Sequence, residues 1–213
     1  MVMDRVAIEE KRKDKIPYEY NKSIFKNFNP EEMEQNTGCI YNKEKQQFVV
    51  RLMGENIIVR YPSGEVLKED GRSIEKYAPK TLVLRYLMNG KGVAPLDKNI
   101  TYRDVDGGNM YYNNFYGRCL LRLAKTFGQN LEKFKNVFEK IGAEKVDMGD
   151  IAYKFEFLNN IYVTFALWEG DEEFPPSSQI LFNGNVPFYF SAEDLAVVGD
   201  VSIGAITTLA YAK

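Results

Sequence analysis

Two alternating apolar runs, Ile151 to Phe157 and Ile161 to Trp168, joined by Leu158-Asn159-Asn160, constrain this chain more than any other stretch of it. Period-two alternation rich in aromatic and β-branched residues, interrupted by paired asparagines, predicts an antiparallel hairpin. The faces set its register. Were Asn159-Asn160 the whole turn, Phe155 would oppose Thr164, and Lys154 and Glu156 would share a face with Val163 and Phe165. A three-residue loop, Leu158-Asn159-Asn160, instead sets Phe157 against Ile161, Phe155 against Val163 and Tyr153 against Phe165, which keeps charge off the apolar face. Asn160 is then left-handed in a bulge, and Trp168 shares the opposite face with Tyr162, Thr164 and Ala166.

The rest of the chain is read around this hairpin. Phe48 to Met53 and Asn56 to Tyr61 flank Gly54-Glu55, and Pro62-Ser63-Gly64 turns the chain again before Glu65-Val66-Leu67, which predicts a meander. Pro79 opens a helix that Gly90 closes, with Leu82, Val83, Tyr86 and Leu87 as its stripe. Gly92 to Gly108 has no regular period. A helix from Met110 to Phe127 places Tyr112, Phe115, Tyr116, Cys119, Leu120, Leu123 and Phe127 on one face, and Asn130 caps the next, which ends at Gly142. Ser177 to Phe182 adds a strand, and Ser191 caps a last helix whose interior Gly199 and Gly204 weaken it. The expected fold is therefore a single α+β domain over 1–213. Antiparallel sheet segments at about 48–67 and 151–182 pack with helices at about 79–89, 110–127, 130–141 and 191–203, and 1–30 forms a peripheral helical segment.

Composition removes several classes of function. With no histidine in 213 residues, no Ser-His-Asp or Cys-His device, HExxH zinc site or imidazole base can be built, so acid–base chemistry would fall to carboxylates, Lys or Tyr. A net charge of −2 gives no global attraction to nucleic acid or an anionic membrane. The basic residues Lys11, Arg12, Lys13 and Lys15 are interleaved with Glu9, Glu10 and Asp14 and read as a solvated helical face. Cys39 and Cys119 are far apart with no CxxC, which predicts buried, inert thiols. The opening residues lack the apolar core of a signal peptide, and no uncharged apolar run spans a bilayer. A cytoplasmic protein is expected.

Three places could carry chemistry. The first is Trp168 followed by Glu169-Gly170-Asp171-Glu172-Glu173-Phe174-Pro175-Pro176, where four carboxylates lie within five residues. Such a loop is either solvated and stiffened by its prolines or a cradle for a cation, with Trp168 and Phe174 as a pocket wall. Its spacing is not that of an EF-hand. The indole is expected to be covered by the loop folding back through Phe174 or Pro175. The second is Gly107-Gly108 before a helix, where backbone N–H groups could meet an anion; neither GxxxxGK[ST] nor GxGxxG is present. The third is Arg118, beside Tyr112, Phe115 and Tyr116, which either clamps an anion or satisfies a carboxylate or carbonyl.

Several of these segments resemble a known family. Tyr102-Arg103-Asp104-Val105-Asp106-Gly107-Gly108, Phe115-Tyr116-Gly117-Arg118 with Leu123 and Phe127-Gly128, the stretch Trp168 to Pro176, Ile180-Leu181-Phe182, and Glu193-Asp194-Leu195-Ala196 look like the domain of unknown function 3786, over about Val49 to Val198. Where that family has an aspartate after Leu-Phe, this chain has Asn183. The resemblance implies proteins of anaerobic bacteria and archaea, some fused to a four-cysteine iron–sulfur module like those of corrinoid proteins, which this chain lacks. It implies no established activity, and any link to corrinoid or one-carbon metabolism is by association. The residues themselves point to a non-catalytic module that holds a small molecule or protein partner through Trp168, Asp171, Glu172, Glu173, Phe174, Arg118, Tyr112 and Tyr116, with no metal and no cofactor assigned. The alternative is a metal-assisted hydrolase or lyase using Asp171, Glu172 or Glu173. A third is self-assembly through sheet edges.

Overall fold

A computed structural model describes residues 13–212, so Glu9, Glu10, Lys11 and Arg12 of the N-terminal expectations lie outside the described residues. The chain packs as two compact units: one comprises the residues up to Val50 and Asn56–Gly90, the other Arg51–Glu55 and Lys91 onward. In both, helices and antiparallel strands fall in separate runs along the chain, so the fold is α+β.

In the first unit, helix α1 (Lys15–Phe25) and helix α2 (Pro30–Thr37) precede strands β1 (Ile40–Asn42), β2 (Gln47–Leu52), β3 (Glu55–Arg60) and β4 (Glu65–Lys68), followed by helix α3 (Tyr77–Asn89). The strands run in the order β4-β3-β2, with β1 on β2, as the expected meander requires. Asn29 caps α2 through both Glu31 and Glu32 amides, satisfying donors that a helix start leaves open. Tyr18 ties α1 to the sheet, donating to the Gly64 carbonyl and accepting from the Val66 amide. Lys80 is buried in α3; its ammonium donates to Ser73 Oγ at 2.9 Å and lies over the Tyr18 and Tyr77 rings.

The second unit holds strands β5 (Asn99–Thr101), β6 (Glu144–Lys145), β7 (Ile151–Leu158), β8 (Ile161–Trp168) and β9 (Ser177–Asn183). Its helical segments are α4 (Gly108–Phe115), a π turn (Tyr116–Leu120), α5 (Leu121–Phe127), α6 (Leu131–Lys140) and α7 (Ala192–Tyr211). Phe155 opposes Val163 and Tyr153 opposes Phe165, the expected register. The route to it differs. Leu158 pairs with Ile161 around a two-residue turn, and the ladder shifts between Glu156 and Leu158, leaving Phe157 as the extra residue. Asn160 is left-handed, with φ 61°. A bulge inside the strand thus replaces the third loop residue, and the faces beyond it are unchanged. The strand expected at Ser177 to Phe182 forms on β8 and runs one residue further, and the segment read as irregular contributes β5 on β9, with Ile100 opposite Phe182.

The apolar face of this hairpin meets α6 through aromatic rings: Phe138 lies flat on Tyr153 at 5.3 Å and edge-on to Phe165 at 6.1 Å. Asn130 caps α6 through the Lys133 amide. Ser191 and Asp194 form a reciprocal capping box on α7. That helix runs eight residues past the expected end, and its Gly199 serves packing. A Cβ at Gly199 would lie 2.8 Å from Cys119 Sγ. By length and composition α7 could also cross a membrane, a test that the core helix of a soluble protein passes equally.

Candidate functional site

Phe115, Cys119, Leu123 and Phe127 are all buried, at intervals of four. In an ideal α-helix that spacing drifts by roughly 40° per step, or about 120° over three. The π turn Tyr116–Leu120 takes up the excess and keeps all four on the core side. Ser178 Oγ donates to the Leu120 carbonyl at 2.7 Å, giving the distorted turn a fixed partner. Turns of this kind gather at functional sites, and this one carries Arg118 outward.

Arg118 Nη2 donates to Asp200 Oδ2 at 2.7 Å, and Arg122 Nη1 reaches the other carboxylate oxygen. Beneath them Cys119 is buried, its thiol donating to the Ala196 carbonyl at 3.4 Å. Burial pushes this thiol up to about 12, and the Asp200 carboxylate adds to the shift. The thiol is buried, as the sequence predicts. Tyr102 stacks on Phe115 with centroids 4.0 Å apart and donates to the Ala192 carbonyl. Burial raises its phenol to about 12, so the hydroxyl stays protonated and bound.

These anchors leave a pocket of about 360 Å³ lined by Tyr102, Tyr111, Asn114, Arg118, Glu193 and Ala196, all within the second unit. Among the described residues, the Tyr111 hydroxyl, the Asn114 amide and the Glu193 carboxylate have no protein partner, and Arg118 uses only Nη2. Exposed polar ends thus surround a floor made by the Tyr102 ring and the Ala196 methyl.

Of the eight candidate site residues named from sequence, only Arg118 lines this pocket. Tyr112 and Tyr116 lie on the same helical segment with centroids 6.2 Å apart, and Tyr112 supports the Arg103 guanidinium at 3.6 Å. The acidic loop stands apart. Asp171 Oδ1 accepts the Glu173 and Phe174 amides at 2.8 and 2.7 Å, while the Asp171 amide donates to the Phe174 carbonyl. The Phe174 and Glu173 N–H groups hold its carboxyl below the usual carboxylate value. Asp171 therefore shapes its own loop, and Glu172 and Glu173 are exposed.

The indole is not covered as expected. Phe174 is 67% exposed and Pro175 is exposed, while Trp168, 38% exposed, borders Gly149, where a Cβ would lie 3.2 Å from the indole Cε2. The loop is anchored instead by Pro176, which packs against Gly128 and Gly170. Among the described residues no group of three or more Cys, Asp or Glu side chains could hold a metal ion.

Gly107-Gly108 also has a structural explanation. Gly107 is left-handed at φ 76°, and a Cβ at Gly108 would fall 1.9 Å from the Tyr102 carbonyl oxygen. Asn183 is buried; its Oδ1 accepts the Leu96 amide at 2.8 Å, and its Nδ2 donates to the Leu96 carbonyl at 2.7 Å. An aspartate there could not make the second bond. Asp200, Tyr111 and Asn114 escaped sequence reasoning, and Glu193 entered only within the family-like stretch Glu193-Asp194-Leu195-Ala196; the available signal was the pair Arg118 and Arg122, one helical turn apart, with a lone Asp200 inside an apolar helix.

No curated protein and no solved structure matches the chain. The sequence model of the family described as "Domain of unknown function (DUF3786)" matches residues 29–205, spanning the π turn, the acidic loop and most of α7. The chain belongs to the DUF3786 family.

Proposed function

We propose that the second unit is a non-catalytic binding module and that its small-molecule site is the pocket between the π-turn helix and α7. One observation carries this reading: polar ends without protein partners among the described residues surround an apolar floor. Asp200 fixes Arg118 beforehand, so little side-chain freedom is lost when a ligand arrives.

At about 360 Å³ the pocket sits at the small end of ligand sites. A corrinoid macrocycle would overfill it, so the pocket lends no support to the link with corrinoid metabolism. The metal-assisted hydrolase reading draws no support from the acidic loop, whose Asp171 is engaged in backbone capping.

Thermal-shift screening of small carboxylates, amines, zwitterions, a flavin, a corrinoid and divalent cations tests the proposal. Wild type is compared with Ala196→Phe, which plugs the floor, and Asp171→Ala, which alters only the loop. The expected result is stabilisation by small organic compounds that Ala196→Phe abolishes and Asp171→Ala retains. A ligand whose effect survives the plug but disappears with the loop variant would move the site to the acidic loop and overturn the proposal.

A further inference from the structure

Given a ligand site in this pocket, we infer that its occupant is a small zwitterion of the α-amino acid type, with its carboxylate on Arg118 and its ammonium on Glu193. Opposite charges line one pocket, yet Arg118 and Glu193 form no ion pair within 4.0 Å. Both side chains line one small space without pairing to each other, which leaves room for a ligand that carries both complements.

The charge balance supports this assignment. Arg118 and Arg122 share the single carboxylate of Asp200, so one positive charge remains uncompensated beside the pocket. Arg118 commits Nη2 to Asp200 and keeps its other N–H donors, in a fixed plane suited to a carboxylate. Glu193, in the first turn of α7, is exposed and has no other partner among the described residues.

A purely anionic ligand would meet repulsion from Glu193, and a purely cationic one from Arg118; a zwitterion satisfies both. The floor of Tyr102 and Ala196, with the Tyr111 ring beside it, selects an apolar side chain. Asn114 can both donate to and accept from the ligand's polar end.

Calorimetric titration with phenylalanine, N-acetylphenylalanine and phenethylamine separates the charges. Phenylalanine should bind, and each single-charge analogue should bind more weakly, on the order of tenfold or more, since each loses one charge-assisted bond. Glu193→Gln removes no structural contact. It should weaken phenylalanine and, by removing the repulsion, tighten N-acetylphenylalanine, so that the difference between the two compounds closes. N-acetylphenylalanine binding as tightly as phenylalanine, with Ala196→Phe blocking both, would leave the pocket standing and overturn the zwitterion. Binding of phenylalanine that neither Glu193→Gln nor Ala196→Phe reduces, or no binding by any of the three, overturns the inference; if the wider thermal-shift screen is also empty, the pocket falls with it.

Discussion

Gly199→Ala tests whether contact between α7 and the π turn holds the site together. The added methyl would lie 2.8 Å from Cys119 Sγ, 3.4 Å from its Cβ and 3.6 Å from Phe115 Cε2. Only the sulfur contact is an overlap. Cys119 is fully buried and its thiol is bonded to the Ala196 carbonyl, so it cannot swing aside freely. Helix propensity favours alanine by about 1 kcal/mol, and overpacking costs about 1–3 kcal/mol. The expected net effect is a loss of about 1 kcal/mol.

Cys119→Ala removes the obstructing atom and by itself costs about 1 kcal/mol through the space it leaves. In that background the remaining contacts, 3.4 and 3.6 Å, are ordinary, so Gly199→Ala should now stabilise by about 1 kcal/mol. The coupling between the two substitutions is then about 2 kcal/mol, within the range for touching residues. Urea unfolding of the four proteins, monitored by circular dichroism, measures it. If Gly199→Ala changes stability equally in both backgrounds, the close contact does not exist and the argument for a site braced by Cys119 fails.

Other outcomes follow from the same geometry. Asn183→Asp should cost about 1–3 kcal/mol in urea melts at neutral pH, since the Leu96 carbonyl loses its donor and a carboxylate is buried. Asp171→Ala should raise proteolytic nicking of residues 169–175, while Asp171→Asn, which keeps the accepting oxygen, should not. Because the folded Asp171 carboxyl is shifted below its usual value, its contribution is complete above the unfolded carboxylate value. It is lost as pH falls through the lowered folded value, so nicking of the wild-type loop by an acid-active protease should rise only in that acid range. Cys119, with its thiol near 12, should resist maleimide at pH 8 in the native protein and react once urea unfolds it; rapid native labelling would show that the π-turn helix opens readily.

Local signals carried much of the fold. The hairpin register was legible because alternation makes a one-residue slip put Lys154 and Glu156 into the core, and that holds whether the extra residue sits in the loop or, as found, at Phe157. Asn130 and Ser191 were legible as caps because a cap is completed within three residues of chain. Distance in sequence defeated the rest. Arg118 could be read as seeking an acceptor, but Asp200 lies 82 residues away and nothing local marks it as the partner. The acidic loop drew attention because its charges are adjacent in sequence, and adjacency is what leaves them to solvent and to capping their own backbone. Arg118 and Glu193 come to face one pocket only when α7 packs its Gly199 against Cys119. That close approach depends on a side chain that is missing on one helix and a register shift on the other, and neither can be weighed until both helices are in place.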